Sequence, residues 1–198
     1  MIHTVGHSNH PIERFVGLLQ PHGITAVADV RSTPYSRFNP QFRREKLQAS
    51  LAAVGIQYVF LGEELGARSQ DPACYDVDGR VSYALLAKTD LFRRGIARLK
   101  TGMAEHRISL MCAEREPLDC HRTILVARAL EKAGVPVTHI LQDGSLESHR
   151  HALERLAADL KIVGTDLFRS PDELLEEAYD KQGARIAYVK TGKKGSDA

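Results

Sequence analysis

The stretch LMCAEREPLDCHR, Leu110–Arg122, gathers two of the chain's three cysteines with two glutamates, an aspartate, a histidine and two arginines. Side chains of these types support more than one chemistry. Cys112, Cys120 and His121, joined by a further ligand such as His7 or Cys74, are donors of the kind that hold zinc or iron. The seven residues between the two cysteines are not the tight C-x2-C pair of most zinc sites, however. A thiol at a strand end facing a helix N-terminus, or in a helix's first turn near arginine, is a candidate nucleophile because its pKa falls there. Cys120 beside Arg122 meets that condition, and Glu114, Glu116 and Asp119 oppose it. The C-x5-R spacing of phosphatase loops is absent, since Leu118 stands where the arginine would be. The plain alternative makes Cys112 a small core residue and Cys120 a helix-start residue with no ion.

A second segment, RSTPYSRFNPQFRREK (Arg31–Lys46), carries five basic residues against one acidic, a local charge of +4 in a chain of +2 overall. Tyr35, Phe38 and Phe42 alternate with Arg37, Arg43 and Arg44. Guanidinium groups hold phosphates and aromatic faces stack on bases, so the mixture suits a nucleotide or a single strand. After Pro40 the bland reading is stronger, with Phe42 in the core and the arginines on a solvated helix face. Arg31 and Arg37, before that helix, are the better ligand candidates. Asp29, Glu63, Glu64 and Glu114 stand at expected strand ends, and His7 with Ser8 follows the first strand. A carboxylate beside a histidine is the usual equipment of general acid–base chemistry.

Five apolar runs read as the strands that position these groups: Ile2–Gly6, Ile24–Val30, Ile56–Leu61, Arg107–Cys112 and Pro136–Leu141. Helical patterns separate them. The first has Asn9 as cap, Pro11 in its first turn and Gly23 as its stop. The second starts at Pro40, shares a face among Leu47, Leu51 and Val54, and ends at Gly55. A third carries Leu85, Phe92, Ile96 and Leu99, and a fourth spans Cys120–Gly134. Two amphipathic segments follow, SLESHRHALERLAADL with Ser145 or Ser148 near its cap, and SPDELLEEAYDKQG with Lys181 near its end. Alternating strands and helices imply an α/β fold, a single three-layer domain with a mainly parallel sheet of about five strands, plus C-terminal helices. Residues 1–163 form the expected core domain and 164–198 a helical extension whose last residues, KTGKKGSDA, read as disordered. Ligands in such sheets bind beyond the carboxyl ends of the strands. Those ends read GHSN, DVRS, LGEELG, CAERE and HILQDG, whereas the opposite edge is mostly small turn residues. The loop from Gly62 to Val81 is long enough to suggest a lid or mobile segment.

Composition narrows the classes. At 198 residues, 43% hydrophobic and 26% charged, the chain resembles an ordinary soluble domain. Its net charge of +2 leaves phosphate or nucleic-acid binding to a local patch. Three cysteines do not make a disulfide framework, no apolar run spans a bilayer, and the start MIHTVGHSNH lacks the marks of a signal peptide. A cytoplasmic location and no membrane partner are expected.

TVGHSN, ADVRSTPYSRFNPQF, GIQYVFLGEELG, LMCAEREPLDCHR and VTHILQDG run in order over the first 145 residues or so, and in them the chain resembles the family known as domain of unknown function 488. The resemblance implies one α/β domain and a polar pocket drawn from His7, Ser8, Asp29, Arg31, Ser36, Arg37, Glu64, Cys112, Glu114, Cys120, His121 and Arg122. It names no reaction and no cofactor. The leading expectation is an enzyme acting on a phosphate-bearing ligand, a nucleotide or nucleic acid. Arg31, Arg37 and Arg122 would hold the anion, Asp29, Glu114 or His7 would move protons, and Cys112 would shape the pocket or attack. On that reading Arg37→Ala weakens ligand binding. The alternatives are a metal-dependent or thiol redox enzyme centred on Cys112, Cys120 and His121, and a non-catalytic binding module, oligomeric through the tail helices.

Overall fold

The computed structural model of the chain describes residues 1–162 and 169–190. Five parallel strands, β1 (Ile2–Gly6), β2 (Ala26–Asp29), β3 (Gln57–Phe60), β4 (Ile108–Cys112) and β5 (Val137–Ile140), form the sheet. A short sixth, β6 (Leu146–Ser148), pairs antiparallel with β5, and the order is β3-β2-β4-β1-β5-β6. β1, β2 and β4 are buried along their whole length, as expected of strands covered on both faces, and they carry the buried polar residues His3, Thr4 and Ser109.

Alternation divides each strand between two cores. Ala26, Ala28 and Leu110 face one, with Phe92 and Leu99 of α5 (Asp90–Gly102) and Leu130 of α6 (Arg128–Lys132). Val27 and Met111 face the other, with Phe15, Leu18 and Leu19 of α1 (Ile12–Leu19) and Leu47 and Leu51 of α2 (Arg44–Ala52). The three-layer architecture follows from that division.

A third core joins α7 (His149–Asp159) and α8 (Pro171–Ile186): Ala152, Leu153 and Leu156 meet Leu174, Leu175, Ala178 and Tyr179 over Ile124. Ser170 and Glu173 cap α8 reciprocally through a capping box. The expected boundary at 163/164 and the tail from Thr191 onward lie outside the described residues.

Several local expectations need correction. Asn9 does not cap α1; Pro11 occupies the N-cap, because the helix begins only at Ile12. Pro40 starts a three-residue 3-10 turn, and α2 begins at Arg44. α2 ends at Ala52, so Val54 lies past its last turn and is exposed. Arg122–Ala127 winds as a wider π-helical segment before α6. β6 was not expected; its last residue, Ser148, also caps α7 by accepting from the His151 N–H. Lys181 sits inside α8, whose last turn carries Arg185 instead.

Residues 62–81 carry short local structure rather than one open loop, although Val77 at its tip is fully exposed. They contain the short helices α3 (Gly62–Leu65) and a 3-10 turn at Pro72–Cys74, followed by α4 (Tyr83–Leu86). Bridges pair Tyr75 with Val81 and Arg80 with Val189. No helix among the described residues is long and apolar enough to cross a membrane.

Candidate active site

A cavity of about 680 Å³ opens over the carboxyl ends of β1, β2 and β4. Parallel pairing sets Gly6 beside Cys112 and Asp29 beside Met111, so the loops after these strands emerge together. The His7 N–H donates to the Cys112 carbonyl at 2.9 Å and the Ser8 N–H to the Ala113 carbonyl at 3.0 Å, continuing the ladder into the cavity wall. Ser8 has a φ of 48°, a left-handed conformation that a non-glycine residue holds only when its surroundings fix it.

Close backbone approach is built into this corner. A Cβ on Gly6 would lie 2.0 Å from the Glu114 carbonyl oxygen, and one on Gly62 would lie 1.9 Å from that of Arg31. Gly6→Ala therefore pushes the Glu114 loop off β1, and a loss of about 1–3 kcal/mol is expected in urea unfolding. Gly17→Ala in α1, whose added Cβ meets nothing within 4 Å, should instead stabilise by up to about 1 kcal/mol. Equal effects of the two changes would contradict the crowding argument.

One side of the cavity is a connected polar network centred on Arg31. Arg31 donates from Nε to Asp29 Oδ1 at 2.9 Å and from Nη2 to Asp29 Oδ2 at 2.6 Å. Tyr58 donates its hydroxyl to the same Oδ2 at 2.8 Å. Arg31 Nη1 donates to His7 Nε2 at 3.2 Å, while His7 Nδ1 donates to the Ser8 carbonyl at 2.7 Å. Both nitrogens of His7 are thus in use, and its ring lies on Phe42 with centroids 4.2 Å apart. Burial first, and then the Arg31 charge, depress its pKa to about 4, which keeps the imidazole neutral. Asp29 has no solvent exposure and is not a cavity wall; it orients Arg31, which is.

The other side holds a cluster of two cysteines, a glutamate and a histidine. Single donor atoms of Cys112, Glu114, Cys120 and His121 all lie within 4.8 Å of one another. His121 Nδ1 is 3.7 Å from Cys112 Sγ and 3.8 Å from Cys120 Sγ, and its Nε2 donates to the Val30 carbonyl at 3.0 Å. Cys120 Sγ donates to Glu114 Oε2 at 2.9 Å. Burial, then the neighbouring Cys120, push the Glu114 carboxyl up. Burial also pushes the Cys112 thiol up. Against its own burial, the hydrogen bond from Cys112 and the charges of Arg122 and His121 bring Cys120 down. Arg122 is itself buried. It holds the loop by donating from Nη1 to the Glu114 carbonyl at 2.8 Å and from Nη2 to that of Arg115 at 3.3 Å.

Of the residues expected at the site, His7, Ser8, Arg31, Ser36, Cys112, Glu114 and His121 line the cavity. Cys120 backs it through its contacts with Glu114 and His121. Asp29 and Arg122 support it from behind. Arg37 is exposed and is not a cavity wall, and Glu64 of α3 pairs with Arg98 of α5, also away from the cavity. Sequence reasoning missed Asn39, Arg68, Tyr83, Asp119 and Tyr188 as walls. Arg68 stacks over the Tyr188 ring at 4.6 Å, and the Tyr188 carbonyl accepts from Val81 at 2.8 Å, so chain ends far apart in sequence close one side.

An α/β sheet with a polar, cysteine-bearing cavity over the carboxyl ends of its parallel strands is the class of protein these features define. The chain belongs to the family described as Domain of unknown function DUF488, whose model matches residues 11–129. No curated protein and no solved structure matches the chain. The matched stretch takes in the Arg31–Asn39 loop and the whole of Leu110–Arg122, and leaves out His7, Ser8 and the motif after β5.

Proposed function

We propose that the cavity is the active site of an enzyme acting on a phosphate-bearing ligand, a nucleotide or a nucleic-acid segment, with its reactive centre at Cys112, Glu114, Cys120 and His121. The observation that carries this reading is the convergence of those four side chains at one end of a cavity whose walls include two arginines. Asp29 and His7 take three of the five N–H groups of Arg31, leaving two for an anion. Arg68 adds a second guanidinium. Tyr35, 61% exposed and stacked under Arg43 at 4.5 Å, offers an aromatic face to a base at the cavity mouth. Glu114 is the proton carrier, because it is the member of the cluster that reaches the cavity most openly.

Calorimetric titration with adenosine monophosphate and with a short single-stranded oligonucleotide tests the ligand class. Saturable binding is expected for at least one of them. Arg68→Ala, which breaks no buried ion pair, should weaken it by about tenfold at low salt and by less at high salt. No saturable binding to either, or a dissociation constant unmoved by Arg68→Ala, would contradict the reading. Saturable binding with no turnover would favour a non-catalytic binding module.

A further inference from the structure

The cluster admits either thiol chemistry or a metal, and its geometry separates them. We infer that Cys112, Cys120 and His121 are the three protein ligands of a zinc-type divalent cation, and that Glu114 stands on its open side as the proton carrier of a hydrolytic reaction. The inference rests on the proposed function only in placing the reactive centre here; the cation site stands whether or not the ligand carries phosphate.

Tetrahedral zinc with bonds of about 2.3 Å to sulfur and about 2.0–2.1 Å to nitrogen sets its sulfur and nitrogen ligands about 3.6 Å apart. The two sulfur-to-His121 Nδ1 separations, 3.7 and 3.8 Å, match that edge. The Glu114 Oε2 to Cys120 Sγ distance of 2.9 Å does not, being shorter than the roughly 3.6 Å edge of a shared coordination sphere. Glu114 is therefore placed as a neighbour of the ligands and not as one of them.

The surroundings agree. His121 gives its Nε2 proton to the Val30 carbonyl, which leaves the Nδ1 lone pair toward both sulfurs. This is the outer hydrogen bond that fixes tautomer and ring orientation in metal-bound imidazoles. The Arg122 backbone N–H reaches Cys120 Sγ at 3.4 Å and supports a thiolate there. Cys112 and Cys120 are 2% and 1% exposed, a poor arrangement for a nucleophile that must reach a substrate and a good one for ligands. Two thiolates and an imidazole select zinc or a neighbouring transition ion over magnesium or calcium.

Three protein ligands leave a fourth position, and a water bound there is acidified. In the hydrolysis, one water gives a proton to Glu114 while its oxygen bonds to the electrophilic carbon or phosphorus. The bond to the leaving group then breaks, and the leaving group departs with the proton from Glu114.

Cobalt titration of the full chain, first stripped with a chelator, tests the site without any substrate. One cobalt per chain is expected, with sulfur-to-cobalt charge-transfer absorption. Cys112→Ser and Cys120→Ser should each remove about half of that absorption. Each of these changes, and His121→Ala, should also weaken binding by more than about a hundredfold, beyond the loss that outer hydrogen-bond partners of ligands cause. Glu114→Gln should still take up one cobalt within about threefold of the original affinity. That variant keeps the three ligands and guards against a result caused by misfolding. Absence of charge-transfer absorption in the unaltered chain would overturn the site. Loss of uptake in Glu114→Gln as complete as in Cys120→Ser would overturn the three-ligand assignment. Either failure is read apart from the nucleotide titration, so the two proposals fall separately.

Discussion

Arg31→Ala is expected to destabilise the protein by about 3–5 kcal/mol, measured as the change in urea unfolding free energy. Asp29 has no solvent exposure and Arg31 only 6%, and the two share bidentate hydrogen bonds at 2.6 and 2.9 Å. Removing the guanidinium leaves a buried carboxylate with Tyr58 and the Arg31 backbone N–H as its remaining donors. The cost is chiefly that of the stranded charge, because desolvation offsets most of the pair's mutual attraction. Arg150→Ala is the control. Its pairs with Glu154 and Asp172 are more than half exposed on every partner, and the change should cost under about 1 kcal/mol. A loss of less than about 1 kcal/mol for Arg31→Ala as well would mean that the network does not hold the cavity wall.

Acid should unfold the protein through a second buried chain, which runs from β1 through β5 to α7 and α8. Thr4 Oγ1 lies 2.8 Å from His139 Nδ1, His139 Nε2 lies 3.0 Å from His149 Nδ1, and His149 Nε2 meets the Tyr179 hydroxyl. All four residues are buried, which holds both imidazoles neutral. Burial depresses the His149 pKa to about 4. Burial first, then His149, Arg122 and Arg155, depress that of His139. With the folded pKa below the unfolded one, the unfolded chain takes up protons first as pH falls. The stabilisation is therefore complete above about pH 6.5 and is lost on the way down. For His149 alone the loss is about 2 kcal/mol by pH 5 and about 3 kcal/mol by pH 4. Unfolding curves at pH 7.5 and 5 check this, and His149→Gln should flatten the dependence. An unchanged pH dependence in that variant would remove His149 as the cause.

β2 is the most readable strand because it is buried on both faces and its apolar run announces that, whereas β1, equally buried, carries His3 and Thr4 and is only thinly apolar. β6 was not readable: three residues give no alternation to see, and Ser148 reads equally well as the cap it also is. Placing LMCAEREPLDCHR at a strand end put the segment where a site would lie, but the convergence of Cys112, Glu114 and His121 is visible only in the structure. Whether a given strand-end residue turns into the cavity did not follow. Ser36 enters and Arg37 beside it does not, while Glu64 is drawn to Arg98 on α5. Tyr83 and Tyr188 reach the cavity through tertiary packing of α4 and the segment after α8, and no periodicity in the sequence marks them.

The most direct measurement is an anomalous-scattering map at the zinc edge from crystals of the full chain grown with zinc. The account predicts one peak about 2.3 Å from Cys112 Sγ and Cys120 Sγ and about 2.0–2.1 Å from His121 Nδ1, open toward the cavity and with Glu114 outside bonding distance. A map with no peak among these residues, or with the two sulfurs joined in a disulfide, would contradict it.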